Sequence, residues 1–290
     1  MSTYLVVGAN GGIGSALYAA LKSSGATVWG TTQRALPQED SNIVHLNLLD
    51  NPHDWQLPPI TFDVAYLCAG ICRMALCEED PVGTSKVNIT GMSALAKRLA
   101  DAGTFVVFLS TNQVFSGNES FVPERAAYQP LNEYGRQKVV TETYIMEHCE
   151  PAAIVRLTKV VDPNLALIRQ WMAQLTAHQP IEAFYDMMLA PVTLQQVIEV
   201  LIQVGQQKKP GYYHISGAAD VSYLELAQYL ASCLNRPQSL VHPVSALQKG
   251  IKKTFLPRFT TLSCSSTIAL CGQKPPYFSE VIQAYFNKDT

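Results

Sequence analysis

A tyrosine and a lysine stand four residues apart in the segment PLNEYGRQK, and together they could transfer a proton. On a helix this spacing places the side chains of Tyr134 and Lys138 on one face. A free phenol has a pKa of about 10, and a neighbouring ammonium lowers it by favouring the phenolate. Thr111, in the segment LSTNQVFSG, is expected at the end of a buried strand, where its hydroxyl could hold the substrate oxygen. These three residues are the predicted catalytic group.

A glycine-rich segment near the N-terminus supports this interpretation, because Tyr-x-x-x-Lys pairs also occur on ordinary solvated helices. The segment GANGGIG follows a predicted strand over residues 4–8 and opens a predicted helix over residues 12–23. Glycine lets the backbone approach a pyrophosphate closely, and the first turn of the helix offers N–H groups to that anion. This context predicts a dinucleotide site. Its predicted residues are Gly8, Asn10, Gly11, Gly12, Ile13 and Gly14.

The second predicted strand, in the segment VWGTTQR, indicates which dinucleotide binds. Proteins that bind NAD usually carry an acid near the end of this strand, whereas none occurs here before Glu39. Hydroxyl groups and a guanidinium favour the 2′-phosphate of NADP, which an acid would repel. Thr31 and Arg34 are the candidates, although Arg34 could equally be an ordinary loop arginine. The predicted cofactor is NADP(H), with NAD(H) as the alternative.

Strands and helices alternate along the first half of the chain. Such repeated β-α units predict an α/β fold with a doubly wound parallel sheet (Rossmann), in which ligands bind at the carboxyl ends of the strands. Residues 1–160 are the predicted NADP-binding domain. Residues 161–290 are expected to form a smaller α+β substrate lobe, from which later segments could return to the first domain. The predicted strands are 4–8, 26–32, 43–47, 63–68, 104–110, 152–157 and 211–216, and the predicted helices are 12–23, 84–102, 134–149, 164–178, 193–205, 222–234 and 278–286.

The composition is that of a globular protein. The chain has 290 residues, of which 48% are hydrophobic and 15% are charged, and its net charge is −2. That balance does not favour binding to nucleic acid or to an anionic membrane. No signal peptide or membrane-spanning run is evident, so a cytoplasmic location is expected. The seven cysteines are expected to be reduced, and the cluster of Cys68, Cys72 and Cys77 matches no metal-binding spacing, so no metal site is predicted.

Taken together, the segments GANGGIG, STNQVF and YGRQK resemble the motifs of the extended short-chain dehydrogenase/reductases. Within that family, PLNEYGRQK, IVRLTKV and GYYHISG resemble the dTDP-4-dehydrorhamnose reductases and their relatives. The resemblance implies an oxidoreductase that binds NADP(H) or NAD(H) and a nucleotide sugar, with a homodimer as a possible assembly. It also implies further cofactor contacts from Asn47, Leu48, Cys68, Ala69, Gly70 and Asn88.

The sequence departs from these relatives at positions that are expected to face the substrate. Lys159 stands where the related reductases often carry tryptophan, and Asn112 replaces the aspartate of their Ser-Thr-Asp segment. The substrate therefore need not be the dTDP-rhamnose precursor. Lys159 could meet a phosphate or a carboxylate, or could simply be a partly exposed lysine. The residues expected to line the substrate cleft are Ser110, Asn112, Gln113, Lys159 and Asp186, although Asp186 could instead hold a loop by hydrogen bonds.

The two amides that follow Thr111 restrict the reaction. Sugar-nucleotide 4,6-dehydratases carry an Asp-Glu pair at this point, whereas Asn112 and Gln113 have no titratable proton near neutral pH. The leading hypothesis is an NADPH-dependent reductase of a keto group on a nucleotide-activated sugar, in which Tyr134 donates the proton and Lys138 holds the ribose. Two alternatives stay open: an NAD-dependent C4 epimerase, and a regulatory subunit that binds nucleotide without turnover.

Overall fold

The computed structural model describes residues 2–34, 41–161 and 165–286. The strands of these residues are, in chain order, β1 Thr3–Val7, β2 Thr27–Thr32, β3 Ile43–His45, β4 Val64–Leu67, β5 Phe105–Thr111, β6 Ala152–Leu157, β7 Val160–Val161, β8 Ile181–Phe184, β9 Met188–Leu189, β10 Val192–Thr193, β11 Gly211–Ile215, β12 Val221–Ser222 and β13 Val241–Val244. Seven of them form a parallel sheet in the order β11-β6-β5-β4-β1-β2-β3. The strand order reverses between β1 and β4, and ligands bind at such a switch point. The predicted doubly wound α/β fold is confirmed.

Helices cover both faces of this sheet. The described helices are α1 Gly12–Ser23, α2 Met74–Glu79, α3 Pro81–Ser85, α4 Met92–Asp101, α5 Glu133–His148, α6 Ala166–Thr176, α7 Leu194–Gln207, α8 Tyr223–Cys233, α9 Ser265–Cys271 and α10 Phe278–Phe286. On one face α1 and α7 bury Leu17 and Val200, and on the other α4 and α5 bury Leu95 and Ile145. Because both faces are covered, the central strands are continuous apolar runs in the sequence.

The single helix predicted over residues 84–102 is divided in the structure. Helix α3 ends at Ser85, and a π-helical turn over Lys86–Gly91 connects it to α4. The Thr141 hydroxyl on α5 donates to the Asn88 carbonyl (2.7 Å), so this carbonyl gains a partner from outside its own helix. The Asn88 side chain lies in the interior, with 3% of its surface exposed. Turns of this kind are frequent at functional sites.

The second half of the chain builds a smaller lobe around α6, α8 and α10. Strand β8 pairs with β13, strand β9 pairs with β12, and the core of this lobe includes Trp171, Leu226 and Ile282. Two segments return to the central sheet: β11 pairs with β6, and α7 packs against α1. The chain thus crosses back into the first domain after residue 160. None of the described helices combines the length and the apolar character needed to span a membrane.

Candidate active site

The glycine-rich turn joins β1 to α1 at the carboxyl edge of the sheet. Gly8 has a φ of +83°, and a Cβ atom on Gly14 would lie 2.2 Å from the Gly8 carbonyl oxygen, so both positions require glycine. Helix α1 begins after Gly11 without a side-chain cap and without an acid in its first turn. Its N-terminus can therefore accept an anion. The turn fits the pyrophosphate of a dinucleotide.

A cleft beside this turn is the candidate cofactor site. The buried Thr31 supports the turn, because its hydroxyl oxygen accepts the Gly8 N–H (3.2 Å). Arg34 lies exposed just beyond β2, and its backbone N–H donates to the Thr32 hydroxyl oxygen (3.0 Å). None of the described residues that line this cleft is acidic, which is consistent with NADP, while Glu39 lies outside the described residues. The predicted residues that line the cleft are Gly8, Asn10, Gly11, Thr31, Arg34, Leu48, Cys68, Ala69 and Gly70.

Among the predicted residues of the glycine-rich turn and the further cofactor contacts, five do not belong to the described cleft wall: Gly12, Ile13, Gly14, Asn47 and Asn88. Gly12, Ile13 and Gly14 form the first turn of α1, at its anion-accepting end. Asn47 lies in the turn after β3, where its Nδ2 donates to the Asp50 carboxylate (2.9 Å). The Asn47 side chain therefore stabilises that turn, and the neighbouring Leu48 provides the cleft contact instead.

Asn88 fixes the loop after β4 to the helix that carries Tyr134 and Lys138. Its Oδ1 accepts the Ile71 N–H (2.8 Å), and its Nδ2 donates to the Ile71 carbonyl (3.0 Å) and to Gln137 Oε1 on α5 (2.7 Å). With its amide engaged in this way, Asn88 positions the loop and α5 rather than lining the cofactor cleft.

Helix α5 brings Tyr134 to the end of β5. Asn132 caps the helix by accepting the Gly135 N–H at its Oδ1 (2.8 Å). Gly135 permits a close approach, since a Cβ atom there would lie 2.2 Å from the Gln113 carbonyl oxygen. The start of α5 is therefore packed directly against the turn that follows Thr111, and Tyr134 and Thr111 line the same cleft.

Thr111 is both a cap and a cleft residue. Its hydroxyl oxygen accepts the Gln113 N–H (3.2 Å) and so caps the turn that follows β5. The hydroxyl also donates to Asn112 Oδ1 over 3.4 Å, a long contact. The turn thus holds the Thr111 side chain at the cleft surface beside Tyr134.

The Tyr134 phenol lies in a largely buried position. Burial raises its pKa well above the ordinary value, and the thiols of Cys72 and Cys77 raise it further, whereas the Thr111 hydroxyl lowers it. The net effect is opposite in direction to the lowering that was predicted from Lys138. In this environment the phenol stays protonated at neutral pH.

Lys138 lies behind Tyr134 and reaches towards the cofactor cleft. Its Nζ is 6.0 Å from the centre of the Tyr134 ring and donates to the Leu109 carbonyl (2.7 Å). A Cβ atom on Gly70, which lines the cofactor cleft, would lie 4.0 Å from Nζ. Burial lowers the Lys138 pKa. These two distances place Nζ between the Tyr134 ring and the cofactor cleft.

A second cleft, with a volume of about 370 Å³, opens between the edge of the sheet and the smaller lobe. Thr111 and Tyr134 line it, and so do Asn112, Gln113 and Lys159 among the predicted substrate residues. The other described residues of its wall are Cys72, Met74, Leu157, Thr158, Val160, Met187, Met188, Leu189, Tyr223, Phe255, Pro257 and Thr260.

Two predicted substrate residues lie outside this cleft. Ser110 precedes Thr111 on β5, so its side chain points to the other side of the strand, where its hydroxyl donates to the buried Glu142. Asp186 accepts the Ser245 hydroxyl (2.5 Å) and the Ala246 N–H (2.6 Å). Neither residue therefore lines this cleft, and Asp186 holds a loop.

Much of the cleft wall was not predicted from the sequence. Cys72 is exposed beside Tyr134, and its only signal in the sequence is the cysteine cluster, whose spacing matches no metal site. Residue type alone does not distinguish a loop thiol from one in a cleft. Tyr223 and Phe255 come from the distant second half of the chain, and the fold brings them to the end of β5.

A buried charge network joins helix α5, which carries Tyr134 and Lys138, to the central sheet. Glu142, one turn after Lys138 on α5, is fully buried and forms an ion pair with the buried Arg156 on β6 (2.7 Å). The guanidinium also donates to Nε2 of His214 (3.1 Å), and Nδ1 of that ring donates to the Ser263 carbonyl (2.9 Å). The network ties α5 to β6 and β11, and so fixes the helix that carries Tyr134.

His214 should make stability depend on pH in the mildly acidic range. Burial and the Arg156 charge lower the pKa of His214 to about 3. The unfolded chain therefore binds a proton below about pH 6.5 that the folded chain does not bind, and stability falls as the pH falls. Between about pH 6 and pH 4 the free energy of unfolding should decrease by about 1.4 kcal/mol per pH unit because of this residue.

Urea unfolding at several pH values measures this slope, and His214→Asn is the matched variant. The asparagine amide can still donate to the Ser263 carbonyl, but it does not titrate. The variant should therefore lose this part of the pH dependence. An equally steep slope in both proteins would show that His214 is not the cause.

Solved structures share this fold along the whole chain. The dTDP-4-dehydrorhamnose reductase of Bacillus anthracis, in complex with NADP, has a TM-score of 0.83 at 19% identity, over 99% of this chain and 100% of that chain. MoeE5 in complex with UDP-glucose and NAD has a TM-score of 0.79 at 18% identity, over 100% and 99% of the two chains. The UDP-glucose 4-epimerase of Thermotoga maritima has a TM-score of 0.79 at 18% identity, over 99% of each chain. The predicted cofactor agrees with the NADP and NAD of these neighbours.

Curated relatives match over nearly the whole chain as well. The methionine adenosyltransferase 2 subunit beta of Mus musculus is 24% identical over 94% of this chain and 84% of its own length. The probable low-salt glycan biosynthesis reductase Agl14 of Haloferax volcanii is 24% identical over 96% of this chain and 95% of its own length. The predicted oxidoreductase class agrees with the reductases among these matches. Since the family model of the RmlD substrate binding domain matches residues 2–290, the chain belongs to that family.

Proposed function

We propose that the protein is an NADPH-dependent reductase of a keto group on a nucleotide-activated sugar. The proposal rests on one arrangement: Thr111 and Tyr134 line one cleft, while Lys138 reaches from behind Tyr134 towards the neighbouring glycine-lined cleft. The names of two similar proteins, a glycan biosynthesis reductase and a dTDP-4-dehydrorhamnose reductase, support the substrate class.

The side chains of this arrangement can handle one proton and one carbonyl oxygen. NADPH, when bound, supplies the hydride that reduces the carbonyl carbon. Tyr134, which its raised pKa keeps protonated, donates its proton to the alkoxide oxygen. Thr111, held by the Gln113 N–H, orients the same oxygen by a hydrogen bond. The Lys138 ammonium stabilises the phenolate that remains after the proton has left.

Asn112 and Gln113 favour a reduction over a dehydration. Loss of water from a sugar needs an acid for the leaving hydroxyl and a base for the neighbouring C–H, and neither amide can serve. Gln113 is also engaged in the structure, because its Oε1 accepts a hydrogen bond from Asn132 Nδ2 (2.8 Å). Tyr134 is then the proton donor for a carbonyl reduction, which needs one proton, and not part of an acid–base pair for a dehydration.

Two other functions have specific support. A regulatory subunit is favoured by the relative named as a methionine adenosyltransferase subunit, which is 24% identical. A C4 epimerase is favoured by the solved structure that carries this activity in its name. The three functions differ in cofactor use: a reductase consumes NADPH, an epimerase regenerates its bound NAD in each cycle, and a regulatory subunit consumes none.

Incubation of the purified protein with NADPH and a panel of nucleotide keto-sugars separates these functions. We expect NADPH oxidation with at least one keto-sugar, and a rate lower by about two to four orders of magnitude with the Tyr134→Phe variant. Stoichiometric NAD in the purified protein without net NADPH oxidation would favour the epimerase. If no nucleotide sugar is turned over and none raises the melting temperature in the presence of NADP⁺, the proposed substrate class is wrong.

Replacing Arg34 with alanine should weaken NADPH binding far more than NADH binding. The Arg34 side chain lies exposed at the cofactor cleft, and none of the described residues that line this cleft is an acid that would repel a 2′-phosphate. A charge-assisted contact is worth about 1.5–3 kcal/mol, so a loss of roughly ten- to hundredfold is expected for NADPH. Fluorescence titration of both cofactors measures the two affinities. Equal affinities of the wild type for NADH and NADPH would show that Arg34 does not bind the 2′-phosphate.

A further inference from the structure

We infer that Lys159 binds an oxyanion of the substrate, either a carboxylate or a phosphate, in the cleft that contains Thr111 and Tyr134. The inference rests on the proposed function, because it takes this cleft as the substrate site of the reductase. It adds that the substrate is recognised by a negative charge as well as by its keto group.

Lys159 is the one charged side chain among the described residues that line this cleft. The other lining residues are apolar or carry hydroxyl, thiol or amide groups. Burial lowers the Lys159 pKa, and no acid contributes a shift in the other direction. By its surface area Lys159 is nevertheless exposed to solvent at this cleft, and no described residue of the cleft wall supplies a carboxylate that would neutralise its ammonium. An anionic ligand group would supply the missing counter-charge.

Backbone pairing fixes Lys159 next to the reacting end of the cleft. Thr111 on β5 is the register partner of Leu157 on β6, so Lys159 lies two residues beyond the strand position beside Thr111. The Lys159 carbonyl accepts the Val192 N–H (3.0 Å), and the following residue, Val160, pairs with Val192. The base of the side chain is therefore held in place, and the ammonium can act close to the carbonyl that is reduced.

The described wall offers no second positive charge in place of Lys159. Met187, Met188, Tyr223, Phe255 and Pro257 present mainly apolar or aromatic surface to this cleft. The glycine-rich turn that would hold the cofactor pyrophosphate lines the other cleft, and Lys159 is not among the described residues of that cleft. The anion at Lys159 is therefore a group of the substrate and not a phosphate of the cofactor.

Binding of inorganic pyrophosphate and of malonate tests this inference without turnover. Thermal unfolding is followed at low ionic strength with saturating NADP⁺, which occupies the glycine-lined cleft. At least one of the two anions should raise the melting temperature of the wild type in a saturable way. Lys159→Met keeps the aliphatic stem but loses the charge, and it should weaken the apparent affinity roughly tenfold or more. Lys159→Arg should retain binding, and so should the control Lys249→Met, which removes an exposed lysine paired with Glu182 (2.7 Å).

The two probes distinguish the sources of the anion. A response to pyrophosphate alone would assign Lys159 to the diphosphate of an activated sugar, and a response to malonate alone would assign it to a carboxylate on the sugar. No response in the wild type, or an equal response in Lys159→Met, would overturn the inference. NADPH oxidation is assayed separately, so a failure here is distinguishable from a failure of the proposed reductase.

Discussion

Replacing Tyr134 with phenylalanine should lower kcat by about two to four orders of magnitude, while the fold and NADPH binding survive. The substitution removes one hydroxyl and little volume from a side chain that is 9% exposed. None of the described residues that line the cleft is His, Asp or Glu, so the commonest general acids are missing from the described wall. Steady-state NADPH oxidation measures the loss, and circular dichroism checks the fold.

Two further variants test whether Thr111 and Lys138 contribute to the reaction together with Tyr134. Thr111→Val should cost less than Tyr134→Phe, because it removes an orienting hydrogen bond and leaves the proton donor in place. Lys138→Met should both lower kcat and weaken NADPH binding, because the ammonium lies between Tyr134 and the cofactor cleft. Near-normal turnover of Tyr134→Phe would refute this account of the site. If Asn112→Ala abolished turnover and Thr111→Val did not, the amide would carry the chemistry.

Replacing Glu142 with alanine should reduce the free energy of unfolding by about 3–5 kcal/mol. Arg156, which is 1% exposed, would lose its ion-pair partner and remain as an uncompensated buried charge. The Ser110 hydroxyl would also lose its acceptor. Urea denaturation followed by circular dichroism measures the change. Because the network ties α5 to β6, the same variant should also lower turnover.

An exposed ion pair provides the comparison for Glu142. The Lys249–Glu182 pair has a similar distance (2.7 Å), but both side chains are about half exposed, at 51% and 58%. Lys249→Ala should therefore change the free energy of unfolding by only about 0–1 kcal/mol. If Glu142→Ala cost no more than this, the buried network would not be what fixes α5.

The elements that carry the site were predictable because their signals are local. The glycine-rich segment predicted a helix over residues 12–23, and α1 spans Gly12–Ser23. The spacing of Tyr134 and Lys138 is a property of a single helix, which the neighbouring Asn132 caps. Strand β5 was evident because a strand buried on both faces is an unbroken apolar run.

The direction of individual side chains depends on contacts that lie far away in the sequence. Ser110 and Thr111 are adjacent, and a strand sends them to opposite sides, so the pairing of β5 decides which of them meets the cleft. Asp186 holds a loop through Ser245, which is 59 positions away. The π-helical turn at Asn88 likewise contacts Thr141 of another helix. Because these contact partners lie far apart along the chain, a pattern within one short segment of the sequence cannot reveal them.

The central claim is that hydride passes from NADPH to a carbonyl carbon of a nucleotide sugar while Tyr134 supplies the proton. The most direct measurement uses NADPH that carries deuterium at the transferable position of its nicotinamide, together with the keto-sugar that supports turnover. The account predicts one deuterium per product molecule, bound to the former carbonyl carbon, with one NADP⁺ formed for each, and the same product formed about two to four orders of magnitude more slowly by Tyr134→Phe. A product without deuterium, or a sugar converted while the NADPH remains unchanged, would contradict it.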